Sequence, residues 1–272
     1  MRPHPFAQAR LAPSTDSVVY RSPVSGALLA LVAEHVVQGR VVFPGAGYLE
    51  MASAVATAAS AHAPAPAATA LHGVLFTSPL VLKTEGGADA DAAVELSRSE
   101  TTGEFDARSG TGLSAPAMAD ATSHCVGVAA VSVALEGGSE LWSARHRAVL
   151  ADSAAPAAAL YDSLAAAGLQ YGPAFRTLER VAMADVRVGE LRRRSEWGGT
   201  VVHPADLDGV LQLCVASPTA GVTRLPFSVG EAISTFGKGR ARQWALVSPV
   251  SEEESLVALA PESTGADGGP CV

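Results

Sequence analysis

Short β-rich runs separated by turn residues fill most of this chain, and two longer apolar stretches rich in small residues interrupt them. Runs of β-branched and aromatic residues predict strands over 4–11, 17–22, 73–82, 92–98, 103–108 and 125–135. Residues 27–35 are an apolar run that reads as a strand leading into Val36 and Val37. Gly39 then makes a turn, and Val41-Val42-Phe43 is again β-rich. A helix is predicted from Pro44 to about residue 60, because proline suits the first helical turn, where its missing N–H costs nothing. Leu49, Ala52, Ser53 and Ala56 share one face of that helix. Three of the four are small, which points to a helix closely wrapped by sheet. Residues 61–69 read as a linker, and 85–91 and 109–122 as loops.

The second half repeats the plan. A helix is predicted over 156–168, a strand pair over 175–196, a second apolar helix from His203 or Pro204 to about 217, and strands over 223–229, 243–250 and 255–260. Residues 266–269 carry a hairpin-turn signal. Val41-Val42-Phe43-Pro44-Gly45 and Val201-Val202-His203-Pro204-Ala205 share a Val-Val-x-Pro-small pattern, each before a helix in the middle of a strand-rich half. One helix flanked by antiparallel strands is an α+β arrangement, and its repetition predicts a double hotdog: two β-rich units, each wrapped around a central helix. The expected boundaries are 1–140 and 156–272, joined by a linker over 141–155.

The composition narrows the function classes. The chain has 272 residues, 48% of them hydrophobic and 17% charged, with a formal net charge of −8. That describes a globular protein with no strongly basic stripe, which argues against nucleic acid as a partner. No apolar run approaches the ~20 residues of a membrane helix, and no signal peptide is recognised at the start. Cys125, Cys214 and Cys271 are three and widely spaced. They fit neither a disulfide framework nor a zinc knuckle, so a reducing, cytoplasmic setting is expected. No cofactor or metal motif is found: Gly45-Ala46-Gly47 lacks the third glycine of a dinucleotide fingerprint.

Three constellations can carry chemistry. In His35-Val36-Val37-Gln38-Gly39 and the following Pro44, a turn and a proline-started helix bring an imidazole toward a helix N-terminus. Histidine is the side chain best suited to move a proton near neutral pH. Gly45 and Gly47 are expected to let a ligand approach the backbone, where a developing oxyanion would be stabilised. In the second, Asp208 and Gln212 stand four apart on one helix face. A carboxyl among Leu207, Val210, Leu211 and Leu213 is poorly solvated, so it can hold a proton and act as an acid, with Gln212 orienting it. Asp206 is a rival acid, expected to face away into solvent. In the third, Tyr171-Gly172-Pro173 presents a phenol on a rigid turn. Each also has a structural explanation: a core histidine on a carbonyl, a surface carboxylate, an aromatic plug.

Together these residues resemble the polyketide synthase dehydratase family. His35, Gly39 and Pro44 match its His-x3-Gly-x4-Pro; Tyr171, Gly172 and Pro173 match its Tyr-Gly-Pro; His203, Pro204, Asp208 and Gln212 match its His-Pro-x3-Asp-x3-Gln/His. His4-Pro5 and Leu225-Pro226-Phe227 match two further motifs, in the family's order. The sequence departs from the family at Glu34, where Asp is usual, and at Asp206, where an apolar residue is commoner. The resemblance implies dehydration of a (3R)-3-hydroxyacyl thioester held on the phosphopantetheine arm of an acyl carrier protein. His35 would be the base and Asp208 the acid, with Gln212 and Tyr171 orienting, Gly45 near the thioester oxygen, and Gly39, Pro44 and Pro173 shaping the site. It implies no metal or redox cofactor, neighbouring synthase domains as partners, and pairing of two copies through the first hotdog. Arg192-Arg193-Arg194 and Lys238, Arg240 and Arg242 are candidates for docking the carrier. A pyran-forming cyclase, a double-bond isomerase and a non-catalytic acyl-binding hotdog are the alternatives on the same fold.

Overall fold

A computed structural model describes residues 4–11, 16–59, 67–83, 90–133, 144–215, 223, 225–235, 243–249 and 255–261. Its contacts group the chain into two compact units. The first comprises residues 1–134, 197–204 and 226–237, and the second 135–196, 205–225 and 238–272. The first unit therefore takes two segments, 197–204 and 226–237, from the second half of the sequence, an interleaving that the simple boundaries 1–140 and 156–272 do not contain.

In chain order the first unit begins with β1 (Ala9–Arg10), β2 (Ser17–Pro23), α1 (Gly26–Val32), β3 (Val36–Val37), β4 (Arg40–Val41) and α2 (Gly45–Ala59). It continues with β5 (Ala67–Phe76), β6 (Ala92–Ser99), β7 (Glu104–Thr111) and β8 (Ala119–Val133). The second unit has α3 (Ala144–Ser153), β9 (Ala155–Pro156), α4 (Ala158–Ala166), β10 (Leu178–Met183) and β11 (Arg187–Leu191), and nearly all of α5 (Pro204–Val215). Strand β12 (Ser228–Thr235) returns to the first unit, and β13 (Gln243–Pro249) and β14 (Ser255–Pro261) complete the second.

The first unit is an antiparallel seven-stranded sheet in the order β1-β2-β6-β7-β8-β5-β12. Helix α2 packs against β2, β5, β6, β7 and β8. Every residue of α2 from Ala46 to Ala56 is buried, as expected of a helix that, Glu50 apart, is uncharged and mostly apolar or small on all sides. Gly47 shows how close the packing is: a Cβ there would lie 2.7 Å from the Phe43 ring. The second unit is an antiparallel sheet ordered β14-β13-β11-β10-β9. Alternate residues of β11 serve its two faces. Val188 joins Ala182, Trp244 and Leu246 beneath Val149, Leu150 and Ala154 of the α3 region, while Gly189 leaves room for Leu213 of α5, 3.1 Å from where its Cβ would be.

Several elements differ from the sequence reading. Residues 26–32 form a helix rather than a strand; the run is rich in Ala and Leu, both strong helix formers, and buries Leu28 and Val32 one turn apart. Residues 4–11 are mostly turn, with a single bridge between His4 and Ala7 and only Ala9–Arg10 in the sheet. Strand β5 starts at Ala67, inside the expected linker, and ends at Phe76 rather than 82. Half of the expected loop over 109–122 is strand, since β7 runs to Thr111 and β8 begins at Ala119. Within 141–155, read as a linker, α3 packs on β10 and β11. The strand expected over 223–229 is β12, displaced to 228–235 and paired with β5. Residues 266–269 lie outside the described residues.

Candidate active site

His35 follows α1 and is almost entirely buried. Gln38 (φ 48°) and Gly39 (φ 74°) make the two-residue turn between β3 and β4, with Val36 opposite Val41 and Val37 opposite Arg40. Both central residues at positive φ define the tight hairpin turn that suits the twist of paired strands. Nothing lies within 4 Å of the Cβ position at Gly39, so conformation, not space, demands glycine there. The hairpin folds the chain back so that Val42 meets His35 twice. The Val42 N–H donates to the His35 carbonyl at 3.0 Å, and the His35 Nδ1–H donates to the Val42 carbonyl at 2.7 Å. A carbonyl can only accept, so Nδ1 carries the ring proton and Nε2 the basic lone pair. The spacing from His35 through Gly39 to Pro44 is thus a device for fixing a tautomer. Pro44 is buried and immediately precedes α2, its carbonyl accepting from the Gly47 N–H at 2.9 Å.

The expected reason for Gly45 and Gly47 requires correction. A Cβ at Gly45 would meet the Phe76 ring at 3.1 Å, and one at Gly47 the Phe43 ring. Aromatic rings, rather than an open path for a ligand, fill the side of the backbone these glycines leave bare.

Asp208 and Gln212 lie one turn apart on α5 and both are buried. Gln212 Nε2 donates to Asp208 Oδ2 at 2.9 Å and to the Phe175 carbonyl at 3.0 Å. Two acceptors fix which end of the amide is nitrogen, and the Oε1 at the other end is buried without a partner among the described residues. Phe175 stacks on Tyr171, with ring centroids 6.4 Å apart and 12° between planes. The turn over 171–176 is closed by the Gly172 carbonyl, which accepts from Phe175 and Arg176 N–H, and by Arg176 Nε donating to the Tyr171 carbonyl. Burial, then the nearby Asp208 carboxylate and Tyr161, push the Tyr171 phenol well above its usual range, so it remains a neutral donor. Pro173 is exposed and acts through the turn. Helix α5 is seated by Gly209, where a Cβ would fall 2.8 Å from Thr177 Oγ1, and its last carbonyls accept from Arg187.

Asp206 does not face solvent. It is 1% exposed and accepts two hydrogen bonds from Arg194, Nε to Oδ2 at 2.8 Å and Nη2 to Oδ1 at 2.7 Å. The forked guanidinium explains how a second carboxylate is accommodated so near Asp208. It also removes Arg194 from the proposed docking patch, leaving Arg192 and Arg193 exposed. Lys238, Arg240 and Arg242 lie outside the described residues.

The second unit thus brings Tyr171, Phe175, Asp208 and Gln212 together, while His35, Gly39, Pro44 and Gly45 belong to the first. Two residues that the sequence reading passed over are Tyr161, whose hydroxyl accepts from the Leu178 N–H near Asp208 and Tyr171, and Glu50. Tyr161 left no signal in the sequence. Glu50 did: it is a lone carboxylate in an otherwise uncharged helix.

The class of protein follows from comparison with known families. One family profile, described as polyketide synthase dehydratase domain, matches residues 4–109, and a second, described as polyketide synthase dehydratase N-terminal domain, matches 142–253. The chain belongs to the polyketide synthase dehydratase family and has its α+β double hotdog fold. It is 34% identical over 190 residues, 66% of its length, to polyketide synthase ThaG of Burkholderia thailandensis, and 28% identical over 270 residues, 94% of its length, to mycoketide-CoA synthase of Mycobacterium tuberculosis. The chain spans only 3% and 6% of those two proteins. Among solved structures it is similar to the dehydratase domain from the CurF module of curacin polyketide synthase, with a TM-score of 0.74, 19% identity and coverage of 95% of this chain and 97% of that one. Two similar structures are variants of the CurK dehydratase described as inactive. One replaces an aspartate with asparagine (TM-score 0.74, 17% identity, covering 98% and 94%), the other a histidine with phenylalanine (TM-score 0.72, 18% identity, covering 95% and 91%).

Proposed function

We propose that this domain removes water from a 3-hydroxyacyl thioester, carried on the phosphopantetheine arm of an acyl carrier protein, to give the 2-enoyl thioester within a modular polyketide synthase in the cytoplasm. The α-hydrogen beside a thioester is weakly acidic and hydroxide is a poor leaving group, so the reaction needs a base at one carbon and an acid at the next. His35 Nε2 takes the α-proton. Asp208 gives a proton to the departing β-hydroxyl. The hydroxyl meets the acceptor at Gln212 Oε1, and Tyr171 donates a hydrogen bond beside Asp208. No metal or redox cofactor takes part, and the carrier docks by way of exposed cations such as Arg192 and Arg193.

The observation that carries this reading is the fixed His35 tautomer: Nδ1 is committed to the Val42 carbonyl at 2.7 Å, which makes Nε2 the basic nitrogen. The two CurK variants described as inactive are changed at a histidine and an aspartate, the same two residue types that are given roles here. The test is to supply a 3-hydroxyacyl pantetheine thioester and follow its mass. Loss of one water is expected, slowed by about 10²–10⁴-fold in His35→Ala and in Asp208→Asn, the usual worth of a general acid or base. An unchanged substrate, or variants as fast as the parent, would contradict the proposal. Cyclisation of a hydroxylated enoyl thioester without dehydration would favour the cyclase instead.

A further inference from the structure

Glu50 lies on α2, is 2% exposed, and is bound on both oxygens. Oε1 accepts from the Val201 N–H and from His4 Nε2 at 3.0 Å; Oε2 accepts from the Val202 N–H at 3.0 Å. His4 Nδ1 in turn accepts from the Phe6 N–H at 3.2 Å, so the neutral ring carries its proton on Nε2, aimed at the carboxylate. A buried carboxylate with so many N–H donors is a strong, directional anchor, because charge-assisted hydrogen bonds are about twice as strong as neutral ones. What it anchors is the backbone just before α5. Val202 is followed by His203 and by Pro204, the first residue of α5, and Asp208 stands one turn further on.

The rest of this segment is seated in the same unit. Gly198 (φ 60°) presses against Leu31 of α1, where a Cβ would come within 2.9 Å, and Thr200 and His203 are buried. Residues 197–204 therefore belong to the first unit, although the helix they open belongs almost wholly to the second. Nothing in the reaction uses Glu50 directly.

We propose that Glu50 is a positioning residue for the dehydration: by holding the amides of Val201 and Val202 it sets where α5 begins, and with it the placement of Asp208. This rests on the dehydratase reading above. The same α2 follows directly from the hairpin that orients His35, so one helix is the reference for the base and for the segment that delivers the acid.

The test is Glu50→Gln, which keeps size and one carbonyl oxygen but turns an amide N–H toward donors. Two readouts are needed. Amide hydrogen exchange at Val201 and Val202 should rise by about tenfold as their acceptor weakens. In dehydration of the 3-hydroxyacyl pantetheine thioester, kcat should fall by about ten- to a hundredfold with KM changed less than about twofold, the signature of a misplaced acid. In an Asp208→Asn background Glu50→Gln should add no further loss, since there is no acid left to place. His4→Ala, which removes one donor and leaves both amide bonds, is the gentler variant; it should lower kcat by about threefold. Unchanged exchange in Glu50→Gln overturns the clamp, whatever the reaction. A kcat loss equally large with and without Asp208 overturns the positioning role and leaves a merely structural one. An unsubstituted domain that forms no enoyl product overturns the dehydratase reading, and the positioning role with it.

Discussion

The two Val-Val-x-Pro segments look alike in sequence and are held in different ways. At 41–44 the backbone is fixed by neutral groups. Val42 pairs with His35, the Phe43 N–H donates to the Leu80 carbonyl, the Leu82 N–H donates to the Val41 carbonyl, and aromatic rings crowd Gly45 and Gly47. At 201–204 the holding groups are charged: Glu50 takes the Val201 and Val202 amides, Arg194 takes Asp206 in the first turn of α5, and Arg187 caps its end. The two candidate catalytic side chains follow suit. His35 sits outside its helix and is oriented by a carbonyl, whereas Asp208 is inside its helix and oriented by Gln212. A repeated motif therefore specifies where a helix starts, not what holds it.

The contrast can be broken at several points. The largest effect on stability should come from Arg194→Met, which leaves Asp206 buried without its cation; such losses cost about 3–5 kcal/mol, read as a drop in the urea midpoint. A fall of less than about 1 kcal/mol would mean that the ion pair is not what holds the first turn of α5. Next is Gly39→Ala in the neutral lead-in, which forces a side chain to positive φ at a cost of about 1–2 kcal/mol. It should also slow dehydration, because the hairpin delivers the Val42 carbonyl to His35, and a variant with normal kcat would detach the hairpin from the tautomer. Smaller again is Arg187→Met, worth about 1 kcal/mol for the lost C-terminal cap.

The smallest effect concerns a buried histidine of the first unit. His124 occupies a bulge in β8, since Ala107 faces Cys125 and Arg108 faces Ser123. Its Nδ1–H donates to the Ser78 carbonyl at 3.0 Å, and Nε2 accepts from Ser109 Oγ at 2.7 Å. Burial holds its pKa below the usual 6.5. The unfolded chain therefore binds a proton more readily than the folded one below that value. The contribution of His124 is complete above about pH 6.5 and is lost as the pH falls below it. Urea midpoints at pH 7 and pH 5 should show this slope, and His124→Gln should flatten it; an equal slope in the variant would assign the titration elsewhere.

The local geometry of the candidate residues was more legible than the fold around them. His35, Gly39 and Pro44, and Asp208 with Gln212, follow from spacing, since a turn and an i,i+4 pair are local geometry. The hairpin and both central helices could be read for the same reason. The helix at 26–32 could not, because a short apolar run has no period that separates strand from helix. Neither could the pairing of β12 with β5, more than 150 residues apart, nor the burial of Asp206, which depends on an arginine twelve residues earlier meeting it across the second unit. Gly45 and Gly47 lie against aromatic rings: sequence shows that a side chain is missing, not what fills its place.

The central claim is that His35 and Asp208 act on one acyl chain as a pair. The direct test is the dehydration rate of His35→Ala/Asp208→Asn beside the two single variants. Members of one catalytic unit are strongly non-additive, so the double variant should be no slower than the slower single. If the two losses multiply in full, the imidazole and the carboxyl work independently and the account of the site is wrong.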